Sequence, residues 1–309
     1  MIDTISSILF STLRVAAPMA YATMGEIFTE RSGVRNLGLE GVMLMGAVIG
    51  FSTAIHTRSL FLSVLAVLGI GLLIGLFYAV MTVTLQANQT VCGLSLVTFG
   101  AGLSGFIGKT LSDFSNVPFF GPMPIPGLSE IPVLGAVFFR HDLMIYFLYF
   151  LVIAAFLYIY KTRPGMVLCA LGENPSALDV MGKNIFLMRY LYTMFGCMIV
   201  ALGGAYITLA YTPIWQEGMI AGKGWIAVAL VIFSAWNPVR AVLGSLLFAG
   251  IEVLSFRMQS YGIEVPSFFL SMLPYFCTIV VLIVSTGSFQ TKRASAPAAL
   301  GKYYEREAR

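Results

Sequence analysis

Six residues able to do chemistry crowd into one string, 25-GEIFTERSGVRNLGLEGVMLMGAVIG-50: Glu26, Glu30, Arg31, Arg35, Asn36 and Glu40. Their surroundings are apolar. Ionisable groups set in such a stretch are costly and mark polar pathways, or they pair with one another. Two readings follow. In one, a helix ends near Glu26, an irregular polar crossing follows at membrane depth, and a second helix starts near Leu37, with Asn36 and Glu40 lining a solute pathway. Non-helical backbone at that depth is tolerated only against protein or a water-filled cavity. In the other, the string is a loop at the membrane interface whose Glu and Arg side chains pair in water.

No catalytic arrangement accompanies it. His56 and His141 are the only histidines, and neither an HExxH nor a GxxxxGK[ST] pattern occurs. Gly108-Lys109-Thr110 ends a string whose required first glycine falls on Leu103, so nucleotide binding there is rejected. Cys92, Cys169, Cys197 and Cys277 have no metal-ligand spacing, which argues against a metal site or a disulfide. Glu252 is expected near the outer interface or paired with Arg257; otherwise it is a buried acid of the pathway. Gln86, Asn88 and Gln89 mark a polar turn, and Phe99, Tyr206, Trp215 and Trp225 are able to stack on a base or sugar. Asn36, Glu40, Asn88, Phe99 and Trp225 are the pathway candidates.

The elements that must position these residues are greasy. Of 309 residues, 58% are hydrophobic and only 10% charged, against about 25% charged in a soluble domain. So few charges cannot cover a solvated surface, and most of the surface must face lipid. The reading is an all-α polytopic membrane protein. A spanning helix needs roughly 20 apolar residues, and nine candidates occur, at about 5–28, 38–56, 60–84, 90–110, 141–160, 190–212, 224–236, 239–258 and 267–286. The first lacks the basic start and small-residue cleavage site of a signal peptide and is read as retained. Residues 111–140 carry Pro118, Pro122, Pro124, Pro126 and Pro132 and read as an irregular or short-helix loop. Residues 287–309 read as a polar, disordered tail. The domain organisation is one membrane unit over 1–286, with a loop at 161–189, and the tail.

Basic residues orient the spans. With the 161–189 loop and the tail in the cytoplasm, twelve Lys and Arg lie inside and five outside. An odd number of spans then places the N-terminus outside. Spans starting near 5, 38, 60 and 90 are followed by spans starting near 190, 224, 239 and 267, at offsets of 185, 186, 179 and 177 residues. With span 141–160 between them, the halves 5–110 and 190–286 run oppositely, which suggests an inverted repeat with a pathway at the repeat interface.

Within the 161–189 loop, 172-GENPSALDVMGKN-184 has a local logic of its own. Asn174 is a good N-cap and Pro175 a good first helical residue. A short helix over Ser176–Met181 is expected, ended by Gly182.

The string GEIFTERSGVRNLGLEGVMLMGA resembles permease subunits of bacterial ABC importers in the branched-chain-amino-acid and simple-sugar superfamily, in the version found in nucleoside-type permeases. The segments 172–184 and 222-GKGWIAVALVIFSAWNPVRAVLGSLLFAG-250 carry the same resemblance, which extends over roughly residues 10–286. It implies a type II-like importer permease fold in the bacterial plasma membrane and a chain that is not itself an enzyme. It also implies that 172–184 is a coupling helix, with Gly172, Glu173, Asn174, Pro175, Ala177 and Val180 at an ATPase subunit. The implied partners are a second permease subunit, most simply in a heterodimer, an ATPase with two nucleotide-binding domains, and a substrate-binding lipoprotein. No cofactor is implied on this chain; ATP and Mg belong to the ATPase. The implied substrates are nucleosides, with simple sugars or purine bases as alternatives. A proton-coupled secondary transporter is a competing class, disfavoured because Asp3, Asp113, Asp142 and Asp179 all fall outside span centres.

Overall fold

The computed structural model describes residues 2–111, 114, 117–260, single positions between 269 and 283, and 296–306. Among them every regular element is helical. The helices are α1 (Ile2–Arg31), α2 (Leu39–Thr57), α3 (Leu60–Ala79), α4 (Gln89–Gly108), α5 (Leu134–Phe138), α6 (Leu143–Lys161), α7 (Arg163–Glu173), α8 (Pro175–Val180), α9 (Ile185–Tyr206), α10 (Lys223–Phe233) and α11 (Pro238–Ser260). Short side chains at the boundaries start them. Ser59, Asn88, Asp142 and Asn184 each accept a backbone N–H of the first turn of α3, α4, α6 and α9, satisfying donors that have no partner inside the helix.

Among the described residues seven helices are long and apolar enough to cross a membrane. The expected span at 224–236 is only the 11-residue helix α10, about 16 Å long at 1.5 Å per residue, which is half a bilayer core. The expected span at 267–286, and with it the count of nine, lies outside the described residues except for single positions. The first helix also differs from expectation: α1 does not stop near Glu26 but runs on to Arg31. Its last turns keep their helical bonds because Glu26 and Glu30 find buried partners, described below. The 161–189 loop is largely helical, with α7 capped by Thr162 and opened by Pro164.

The centre consists of α1, α2 and α9. α9 packs on α1, α2 and α3, while α1 packs on α9, α10 and α11. α2 is buried on all sides from Leu39 to Val48, as expected of a helix that is apolar all round. Small residues let these backbones touch. A Cβ built on Gly204 of α9 would lie 1.9 Å from the carbonyl oxygen of Met43 on α2. In lipid, where apolar burial gives helices little reason to associate, this close packing is the main attraction. Gly204→Ala should therefore lower stability by roughly 1–3 kcal/mol, the usual effect of overpacking. Thermal melting in detergent checks this; an unchanged melting temperature would contradict the α2–α9 seam.

Residues 296–306 are ordered rather than a free tail. Pro297 and Ala299 are buried, and the Ala299 N–H donates to the Gly172 carbonyl at 2.8 Å. The residues that break the polar pattern of this tail (Pro297, Ala299 and Leu300) are the ones that pack.

Candidate functional sites

Two sites emerge at the same end of the helices, a buried polar crossing and an outward-facing short helix. The crossing, residues 32–38, joins α1 to α2. It is closed by side chains from several elements. Glu26 accepts the Asn36 N–H at 2.9 Å, and the Asn36 side-chain oxygen accepts the Gly38 N–H at 2.8 Å. Gln89, at the start of α4, accepts the Arg35 N–H at 2.8 Å. The Tyr78 hydroxyl lies 2.7 Å from the Arg35 carbonyl. Glu30 accepts the Trp236 indole N–H at 2.6 Å, and Arg31 donates to the Trp236 carbonyl, the Tyr160 hydroxyl and the Cys169 sulfur. Buried polar groups are retained when they are bonded in this way, and here the bonds fasten the crossing to α3, α4 and the α10–α11 turn.

Glu40 has a different task. Its two carboxylate oxygens accept the N–H groups of Gly222 and Gly224 at 2.9 and 2.8 Å. These donors open α10, so the carboxylate both satisfies them and faces the positive end of the helix dipole. The first turns of α2 and α10 thus meet at Glu40. Glu252 pairs with Lys223 at 3.0 Å, not with Arg257, which donates to Ser7 instead. The physical reason is that Lys223 stands at the start of α10 within reach of α11, where Glu252 sits.

The five pathway candidates are not gathered into one cavity. Asn36 and Glu40 are buried with their polar atoms engaged within the chain. Trp225 is 40% exposed and follows the Gly224 that Glu40 caps. Asn88 is exposed and caps α4. Phe99, 61% exposed, lies on the same helix 11 residues on, about 16 Å away along its axis. It lines a shallow groove with Phe77, Met81 and Ser95. Sequence reasoning set Glu26 and Glu30 in the acidic string of the crossing, but did not bring Gln89, Tyr78 and Trp236 to it. Charge in an apolar string was a signal for the two glutamates; no pattern along the chain joins Trp236 to Glu30.

The second site is α8. The Asn174 side chain accepts the Ala177 N–H at 3.1 Å and Pro175 opens the helix; Gly182 ends it with a φ of +76°. Leu178 is buried with Leu171 and Ile185. Val180 is 90% and Met181 72% exposed, and Glu173, Asn174 and Ala177 are also exposed. Gly172 faces inward, where a Cβ would lie 2.4 Å from the Arg31 carbonyl oxygen. The hydrogen bonds from Arg306 hold the Asp179 carboxyl below its ordinary range. Such a group's contribution is present above the unfolded value and is lost only as pH falls through the lowered one, so the pair persists at neutral pH.

Residues 8–284 match the family model described as the branched-chain amino acid transport system / permease component. The chain belongs to this permease family. A nucleoside ABC transporter permease of Lactococcus lactis subsp. cremoris is 35% identical, with 98% of each chain covered. A guanosine ABC transporter permease of Bacillus subtilis is 33% identical over 98% of each. A putative glucose ABC transporter permease of Haloferax volcanii is 32% identical, again over 98% of each. The chain is thus a multi-pass membrane permease, and its sites are to be understood as parts of a transporter rather than of an enzyme.

Proposed function

We propose that this permease forms half of the translocation pore of an ATP-driven importer for nucleosides. A second permease subunit completes the pore, an ATPase with two nucleotide-binding domains docks on α8, and a substrate-binding lipoprotein delivers solute from the other side. ATP and Mg reside in the ATPase. The observation that carries this reading is α8 itself: a short, doubly capped helix presenting Val180 and Met181 to solvent, on a chain alike from end to end to permeases named for nucleosides and guanosine. Two bulky apolar side chains left in water on a rigid mount are what a partner's cleft needs.

Charge and contact support one assignment of the two sides of the membrane. Residues 296–306 touch both the α1–α2 crossing and α7–α8, so all three share one side, and the excess of Lys and Arg there supports its being the cytoplasm. The N-terminus then lies outside. The inverted repeat is supported by matched elements. α2 and the half-length α10 both follow irregular segments, and α3 and α11 flank α9 and α1 in corresponding fashion.

The test is reconstitution of the complete transporter in proteoliposomes with labelled nucleoside outside. Accumulation that requires ATP within reach of the ATPase supports the proposal. Accumulation driven by a proton gradient without ATPase would replace it with a secondary transporter. Glucose is the second substrate to try, because a comparable relative carries that name; ATP-driven uptake of glucose but not nucleoside would reassign the solute.

A further inference from the structure

The segment 296–306 makes a set of contacts that neither a pore nor a docking helix requires. Its backbone reaches two elements at once. The Ala299 N–H donates to the carbonyl of Gly172, at the end of α7, at 2.8 Å. Two residues later the Gly301 N–H donates to the carbonyl of Gly33, in the α1–α2 crossing, at 3.0 Å. The Lys302 carbonyl accepts from the Arg189 guanidinium of α9 at 3.1 Å. Arg306 then closes on α8 with a two-pronged pair to Asp179 at 3.0 and 2.9 Å, and Tyr304 packs against Phe186 and the Leu171–Leu178–Ile185 cluster.

Without this segment α8 reaches the crossing through the Asn174 turn and α7, and through α9, on whose Ile185 Leu178 packs and whose Arg189 lies against Gly33. Gly172 keeps the α7 path tight: a Cβ there would stand 2.4 Å from the Arg31 carbonyl oxygen. The segment adds a further route: main-chain hydrogen bonds join the end of α7 to the crossing, and the Arg306–Asp179 side-chain pair joins the segment to α8. Chains of packed groups and hydrogen bonds carry coupling only if they bias an element with two arrangements. The crossing is such a candidate, because it is irregular backbone between two helices.

We propose that residues 296–306 are a strap that ties α8 to the α1–α2 crossing, so that displacement of α8 by the ATPase moves the crossing with it. The proposal rests on α8 being the ATPase contact. The strap is a positioning element and touches neither nucleotide nor solute. It leaves Val180 and Met181 uncovered and meets the docking residues only at Gly172 and, through a 3.4 Å bond, at Glu173, so its loss should leave ATPase docking at Val180 and Met181 intact and separate hydrolysis from transport.

Two measurements test it. Hydrogen exchange on the full chain reads the strap directly: slow exchange of the Ala299 and Gly301 amides is expected, and exchange at the rate of a free peptide would overturn the proposal whatever α8 binds. The second uses the whole transporter with this chain ended after Ser295. The ATPase should co-purify as before, while solute moved per ATP hydrolysed falls at least about fivefold, the lower range of coupling between sites. An unchanged ratio would overturn the strap. If the shortened chain does not accumulate, Asp179→Arg with its ratio restored by adding Arg306→Asp supports the strap, and two single variants and a double that all behave like the parent overturn it. Should the ATPase fail to bind the intact chain through α8 at all, the reading of α8 fails, and the exchange result still judges the strap's packing.

Discussion

Val180→Asp should strip the ATPase from the purified complex and abolish ATP-driven uptake, while the permease itself folds as before. The side chain is 90% exposed, so no packing is lost, and an added carboxylate at the last residue of α8 costs only about 0.3–1 kcal/mol against the helix dipole. In a partner's cleft the same change puts a carboxylate where an apolar knob belongs. Central interface residues of this kind contribute at least about 2 kcal/mol, so the ATPase should bind roughly 30-fold more weakly. Co-purification at matched expression, with a melting curve of the permease as control, decides the matter. Full retention of the ATPase would remove α8 from the interface. Met181→Asp should act in the same direction, because it extends the same exposed surface.

Glu40→Ala should do the opposite: it should damage the fold first and transport only as a consequence. The substitution leaves the Gly222 and Gly224 N–H groups without the carboxylate that accepts them. Each buried donor left unpaired costs about 1–3 kcal/mol, so a loss of roughly 2–5 kcal/mol is expected. Glu40→Gln keeps one accepting oxygen and turns an amide N–H₂ toward the other donor, so its effect should be intermediate. Thermal melting of the three proteins in detergent, set beside nucleoside uptake, separates the two views of this residue. If Glu40 instead binds solute, melting stays constant while uptake falls. A spacer effect is also excluded by geometry: a Cβ on Gly224 would lie 2.5 Å from the Glu40 backbone nitrogen, so α2 and α10 meet with no room between their first turns.

Local features of this protein were legible residue by residue. Asn174 and Pro175 specified a capped helix, and it forms where the spacing placed it, because a cap needs only partners two or three residues away. The apolar runs specified membrane helices for the same reason: a segment in lipid must satisfy its own backbone. Where a residue's partner is remote, the chain alone was silent. Glu30 and Trp236 are 206 residues apart in sequence and share a hydrogen bond. Glu40 could be recognised as a costly acid in an apolar string, but whether it faced a solute, water or a helix end depended on α10 arriving beside it. The tail shows the same division from the other side. Its composition, polar and poor in large apolar residues, predicted disorder, since it can form no core of its own. It is ordered over 296–306 because it borrows surfaces from α7, α8, α9 and the crossing.

By itself, then, the order of residues determined that this chain is helical and lies in a membrane, and where one small exposed helix begins and ends, since those outcomes depend on burial along a single segment and on bonds between near neighbours. Only the tertiary structure decided that Glu26, Glu30 and Asn36 find partners around the α1–α2 crossing, that α10 is half a span capped by Glu40, and that residues 296–306 lie against α7, α8 and the crossing, since each of these requires two distant stretches to bring their unpaired polar groups together out of water.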